Sequence, residues 1–277
     1  MHNLIPKTKV GEAYLLSFDE IEQWQNLLAE IAGIHLDPTK DYLLPSRLGA
    51  LCQKEGCSDL MALYEKVKAD GMGKLAGQVV QMITTHETSF FRHPPSFGLF
   101  AKLLLELAPK KVRVLSAGCS TGEEAWSLAM TAERVLGRRA ANLVSITGWD
   151  IAPGSIDGAR EARYQFLDKK LEPELLERFF DHEEKTWRVK QRLRSWVNFE
   201  RRNLLHMKPD EAPFTIIFCK NVAIYFEMRA RTRFFEELVK LMEPSGYMVL
   251  GSSESLIGIT DCYKRERRDG VYAYRPK

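Results

Sequence analysis

Apolar residues recur at three- and four-residue steps through the first third of this chain. In FDEIEQWQNLLAEIAGI, Phe18, Ile21, Trp24, Leu27, Leu28 and Ile31 fall on one face of a helix. Ser17 stands three residues before Glu20, the spacing of a capping box at a helix start. Asp37-Pro38 predicts the start of a second helix, with Asp as N-cap and Pro at the first helical position. Lys40, Arg47 and Lys54 follow at seven-residue spacing and share one face of that predicted helix. A third helix is predicted from near Ser58 to Gly71 and Gly73, and a fourth from about Leu75 into ITTHETSFFRHPP at 83–95. Phe90 and Phe91 cannot share one face of a helix or strand, so the segment is read as a seam whose two rings face different domains.

Beyond the prolines the period changes. KVRVLSAG (111–118), NLVSITGWD (142–150), TIIFCKN (215–221) and YMVLGSSE (247–254) are short apolar strands. They alternate with helical patterns at 122–137, 153–164 and 229–246. That alternation predicts an α/β fold, a doubly wound, mostly parallel sheet with helices on both faces. KTWRVKQRLRSWVNFERR (185–202) alternates apolar and charged residues, with seven Lys+Arg against one Glu, and predicts a small antiparallel β insertion, placed at about 165–202. Asp269-Gly270 between strand-like flanks predicts a closing hairpin. The expected division is a helical domain with linker at 1–92 and a sheet domain at 93–277.

Composition adds limits. The chain has 277 residues, 45% hydrophobic and 28% charged, with net charge +3. Residues 1–91 hold 8 Lys+Arg and 12 Asp+Glu, and the remainder hold 32 and 25, so the second part is the basic one. This bias is too weak for a nucleic-acid binder. No apolar run approaches the roughly 18 residues of a membrane span, and the first residues lack the order of a signal peptide. A cytoplasmic protein without direct membrane insertion is expected. Five scattered cysteines without a C-x-x-C predict neither a disulfide framework nor a zinc site.

The chemistry gathers at strand ends. SAGCSTGEE (116–124) joins the first strand to a helix, and Gly118 and Gly122 allow a ligand close to the backbone. It is neither a Walker A loop nor G-x-G-x-x-G. Glu123 and Glu124 at the helix start would repel a pyrophosphate and attract a cation. Asp150 ends the second strand, the usual place for an acid that holds ribose hydroxyls. Ribose recognition without phosphate recognition fits S-adenosylmethionine. Asn203-Leu204 and Asn221 fall where the same ligand would lie.

These stretches together resemble the CheR family, the chemotaxis receptor methyltransferases. The matching pieces are TTHETSFFR (84–92), SAGCSTGEEAWSLAM (116–130), the Asp150 region, RNLL (202–205), FCKNVAIYF (218–226) and GSSESL (251–256), in the family's order. The resemblance implies a Rossmann-like, S-adenosylmethionine-dependent methyltransferase behind an all-helical N-terminal domain. It implies methyl transfer to glutamate side chains on the cytoplasmic helical bundle of chemoreceptors, giving glutamyl methyl esters and the product S-adenosylhomocysteine. Cofactor contacts carry over to Thr88, Arg92, Glu123, Asp150, Asn203, Leu204, Asn221 and Val222, with Tyr225 near the reacting end. His86 stands where the family has Asn, and its imidazole can still donate a hydrogen bond to the cofactor. Ser252, Ala125-Trp126 and Ala223 are further departures.

A glutamate carboxylate is anionic at neutral pH and needs no general base, so neither a metal nor a nucleophilic residue is expected. Arg92 would orient the acceptor, with Tyr225 adding a hydroxyl contact. Lys40, Arg47 and Lys54 would steer the receptor, and Arg188, Lys190, Arg192 and Arg194 would form a second docking surface. The protein is expected to act as a monomer. The alternatives are a non-catalytic module that binds S-adenosylhomocysteine, and a methyltransferase with another substrate.

Overall fold

The capping box at Ser17 forms. Its N–H donates to the Glu20 carboxylate at 2.8 Å, and its hydroxyl accepts the Glu20 N–H at 3.4 Å. The helix it opens, α1 (Phe18–Ala32), buries Trp24, Leu27, Leu28 and Ile31 and stops at left-handed Gly33. The structure is a computed structural model that describes residues 16–36, 40–84, 87–165, 171–207 and 213–277. Asp37-Pro38 lies outside the described residues.

Helix α2 (Leu43–Lys54) begins later than the pattern predicts. Lys40 precedes it, so Lys40, Arg47 and Lys54 do not share one helical face. Helix α3 (Leu60–Asp70) is capped by Asp59 rather than Ser58, the Asp59 carboxylate accepting the Ala62 N–H at 2.8 Å. Helix α4 (Lys74–Ile83) ends before the phenylalanine pair. Trp24 is fully buried and meets Tyr64 edge to face at 5.6 Å. A distant segment joins these helices. Ile34 bridges Phe226, and the His35 N–H donates to the Tyr225 carbonyl at 2.9 Å. Tyr225–Glu227 thus forms one compact unit with the described part of Met1–His86.

The second unit is Glu87–Ile224 with Met228–Lys277. Its first elements are α5 (Pro94–Leu107), β1 (Val112–Ala117), α6 (Glu123–Leu136), α7 (Ala140–Leu143), β2 (Val144–Asp150) and α8 (Pro153–Glu161). Next come β3 (Arg163–Tyr164), α9 (Pro173–Phe179), β4 (Phe180–Glu183), β5 (Thr186–Val189), α10 (Gln191–Arg194) and β6 (Val197–Arg201). The last are β7 (Phe214–Cys219), α11 (Met228–Leu238), β8 (Met242–Leu250), β9 (Tyr263–Arg268) and β10 (Val271–Pro276).

The main sheet has seven strands in the order β6-β2-β1-β7-β8-β10-β9. The first five are mutually parallel, and β10 and β9 add antiparallel at one edge. Strand β7 is buried at every position, as a central strand covered on both faces must be. The predicted hairpin turns at Asp269-Gly270, both with positive φ.

The small sheet β3-β5-β4 is antiparallel, as predicted, but its extent differs from 165–202. Residues 191–194 are helical, and β6 pairs parallel with β2 as an edge of the main sheet. Alternation along 185–202 therefore comes from two different sheets. The helix expected over 229–246 stops at Leu238. From Met242 the chain pairs with β7 across a register shift, and a Cβ on Gly246 would meet backbone oxygens of Glu243 and Thr215 at 2.9 and 3.1 Å.

Candidate cofactor site and the phenylalanine–arginine turn

Strand order reverses between β1 and β7, and in open α/β sheets ligands bind outside the carboxyl ends of the strands at this point. Gly118 leaves β1 with φ 73°. A Cβ there would lie 2.3 Å from Val222 Cγ2, so glycine is what lets the loops after β1 and β7 approach. The Gly118 and Cys119 N–H groups donate to the Trp149 carbonyl at 2.8 and 3.0 Å, which ties the glycine loop to the end of β2. Buried Asp150 completes that tie. Its two oxygens accept the Ser120 and Ala152 N–H groups at 2.8 and 2.9 Å.

Glu123 begins α6 and is buried. It accepts the Thr121 hydroxyl at 2.7 Å and a side-chain hydrogen bond from Thr88. Burial pushes its carboxyl above the usual carboxylate range, against those hydroxyls. Among the described residues it has no cationic partner. A buried acid held by two hydroxyls and its own backbone N–H, with no ion pair among the described residues, fits a cationic ligand. On the far side, Asn221 takes a left-handed φ of 60°, and its N–H and that of Gly251 both donate to one Glu254 oxygen, at 2.6 and 2.9 Å. Burial also raises the Glu254 carboxyl. Leu204 is buried, and the Asn203 side chain accepts the Leu205 N–H at 2.9 Å, closing its own turn.

The phenylalanine pair does not divide between domains. Phe90 meets Tyr164 and Phe180 edge to face at 4.9 and 5.2 Å, and Phe91 meets Phe97 at 5.4 Å, all within the sheet unit. The rings diverge because Phe91 and His93 are left-handed, at φ 52° and 64°. Such a φ is unfavourable for bulky residues and has to be imposed by surrounding contacts. The Phe91 N–H donates to Ser127 Oγ at 2.9 Å, and Lys220 Nζ donates to the Arg92 carbonyl at 3.0 Å. The Arg92 guanidinium turns back on Glu87, donating to its carbonyl and lying 4.0 Å from its carboxylate. Both side chains are exposed, so that ion pair is weak and easily exchanged.

The remaining predicted residues are dispersed. His86 lies outside the described residues. Tyr225 belongs to the helical unit. Arg47 donates to the Met82 and Ile83 carbonyls, closing the end of α4. Lys40 and Lys54 are exposed. The expected second docking strip is divided between β5 and α10, and three of its four cations have internal partners. Arg188 pairs with Glu183 at 3.6 Å, Lys190 with Asp181 at 4.0 Å and Arg192 with Glu133 at 3.2 Å. Arg194 is half-buried, and burial lowers its pKa.

Sequence reasoning missed Lys220 and Glu254, and it read Glu124 as attracting a cationic ligand where the structure pairs it with Lys220. Lys220 pairs with Glu124 at 2.9 Å, with side chains 5% and 15% exposed, and Ser116 donates to the same carboxylate at 2.8 Å. The available signals were a lysine inside CKN and the second glutamate of GEE, each ambiguous without its partner.

Sequence profiles match almost the whole chain. The profile described as "CheR methyltransferase, all-alpha domain" matches residues 19–84, and "CheR methyltransferase, SAM binding domain" matches 86–270. The chain belongs to the CheR methyltransferase family. CheR relatives align over nearly its full length. "Chemotaxis protein methyltransferase" of Vibrio parahaemolyticus is 34% identical over 273 residues, 96% of this chain and 99% of that protein. "Chemotaxis protein methyltransferase 1" of Vibrio cholerae is 35% identical with the same coverage. Among solved structures, the TehB-like SAM-dependent methyltransferase of Corynebacterium glutamicum aligns at TM-score 0.41 and 15% identity, over 64% of this chain and 87% of that one. The CheR SAM-binding profile spans the glycine loop, Asp150, the Asn221 turn and Glu254.

Proposed function

We propose that this chain transfers a methyl group from S-adenosylmethionine to glutamate side chains of chemoreceptors, forming glutamyl methyl esters. The observation that carries this reading is the alignment, at 34% and 35% identity over 273 residues, with two chemotaxis protein methyltransferases. The site chemistry supports it, because Glu123 is a buried acid with no cationic partner among the described residues. The cofactor supplies the methyl group as an electrophilic sulfonium.

In this reading Glu123 and Thr88 hold the cationic end of the cofactor, with His86 two residues before Thr88 in sequence. Asp150 takes the ribose hydroxyls. Gly118, Asn203, Leu204, Asn221 and Val222 frame the rest. The acceptor is anionic at neutral pH, since free glutamate titrates near about 4.3. The protein therefore has to orient it and exclude water, and positioning of this kind is worth up to roughly 7–11 kcal/mol in favourable cases. Arg92 supplies a cation for that purpose when it exchanges Glu87 for the incoming carboxylate. Because the ester product is neutral, Arg92 loses its ionic hold once transfer is complete.

The partner in this reading is the cytoplasmic helical bundle of a chemoreceptor, met by a monomeric cytoplasmic enzyme through Lys40 and Lys54. No described helix is long and apolar enough to cross a membrane. The deciding experiment incubates the protein with labelled S-adenosylmethionine and cognate receptor, then treats the product with alkali. Release of labelled methanol is the expected result. Label confined to alkali-stable products would exclude carboxyl methylation.

A further inference from the structure

We infer that Lys220 is a positioning residue for the methyl transfer, holding the turn that presents Arg92. The inference rests on the reading of Arg92 as the group that orients the acceptor. Two fixed points hold the turn. The Phe91 N–H is held by Ser127, whose hydroxyl in turn donates to the Glu123 carbonyl at 2.6 Å. The Arg92 carbonyl is held by Lys220 at 3.0 Å. Both points act on a backbone that is left-handed on either side of Arg92.

Lys220 is itself held from several directions. Glu124, itself held by the Ser116 hydroxyl, fixes its charge, and its ammonium lies over the Phe97 and Phe218 rings at 4.9 and 5.8 Å. Phe97 is the ring that Phe91 packs against, so the same aromatic residue supports both the turn and the lysine. An ammonium buried this deeply and bonded to a backbone carbonyl does not meet the acceptor itself. It acts through Arg92. The start of α6 thus serves two purposes, Glu123 facing the cofactor site while Glu124 and Ser127 set the arginine turn.

The test compares Lys220→Met, Lys220→Arg and Arg92→Ala in the full chain, reading turnover on receptor and affinity for S-adenosylhomocysteine. Lys220→Met should lower kcat by about tenfold or more, the scale of a misplaced orienting group, with cofactor affinity unchanged. Lys220→Arg should restore most of the turnover, since a guanidinium can make both contacts. His93 gives an independent signature. Its pKa is lowered by burial and by the Lys220 charge, so its NMR titration should move up in Lys220→Met. If Lys220→Met fails to fold, the double variant Glu124→Gln/Lys220→Met leaves no unpaired charge and carries the same expectations. Full turnover in Lys220→Met beside a crippled Arg92→Ala would overturn the inference. So would a loss of cofactor affinity that matches the loss of turnover. Full turnover in Arg92→Ala would overturn the reading of Arg92 and this inference with it.

Discussion

Asn221 donates its backbone N–H to the Glu254 carboxylate at 2.6 Å, and Gly251 joins it on the same oxygen. One half-buried acid thus fixes the loop after β7 against the end of β8, where Asn221 and Val222 are proposed to meet the cofactor. Glu254→Ala would leave two backbone donors without their acceptor. The expected cost is about 1.5–3 kcal/mol of stability, the range for hydrogen bonds to charged groups. Urea denaturation should show it, together with weaker binding of S-adenosylhomocysteine by calorimetry.

Glu123 makes cofactor binding depend on pH. Its carboxyl is raised by burial, so its proton is held more tightly in the folded chain than in the unfolded one. Its share of apo stability is therefore present below the ordinary carboxylate pKa and lost as pH rises through the raised value. Affinity for a cationic cofactor runs the other way and should increase with pH over that window. At neutral pH, Glu123→Gln should melt higher than the parent while binding S-adenosylhomocysteine about tenfold or more weakly, roughly 1.4 kcal/mol. Thermal melts and calorimetry across mildly acidic to neutral pH measure both.

Gly118→Ala should fail for two independent reasons. The φ of 73° costs an L-residue roughly 1–2 kcal/mol, and the added Cβ would lie 2.3 Å from Val222 Cγ2. Lost cofactor binding with a lowered melting temperature is expected. A variant that binds normally would show that the two loops can separate without consequence.

Arg47 and Lys54 should separate structural from steering roles. Arg47→Ala removes a charged donor from the end of α4 and should cost roughly 1.5 kcal/mol of stability at any ionic strength. Lys40→Glu/Lys54→Glu should leave stability unchanged and raise the KM for receptor at low salt, an effect that fades as salt screens it. Melts and salt-dependent kinetics distinguish them.

Much of the fold was legible because its signals are local. Ser17 with Glu20, the glycine ends of β1, and Asp269-Gly270 each act through residues a few positions apart. The errors lie where a distant partner decides. Met242–Gly246 continues a helical pattern, but pairing with β7 makes it strand. Residues 197–201 continue the alternation of β5 but join β2. Lys220 acquires its role by meeting Arg92 across 128 positions, which no local pattern encodes. The motif residues Thr88 and Glu123 do come together, and Gly118 meets Val222. Arg47, by contrast, looked like a surface cation and is a helix terminator.

The return of Tyr225–Glu227 to the helices has a practical consequence. A fragment that stops at residue 86 would lack the segment that pairs with Gly33, Ile34 and His35, and a fragment that starts at 87 would carry that segment without its mate. Neither half of this gene is a ready-made part. A chimera that exchanges helical domains between relatives would have to exchange these three residues as well, although they sit in the sequence of the other half.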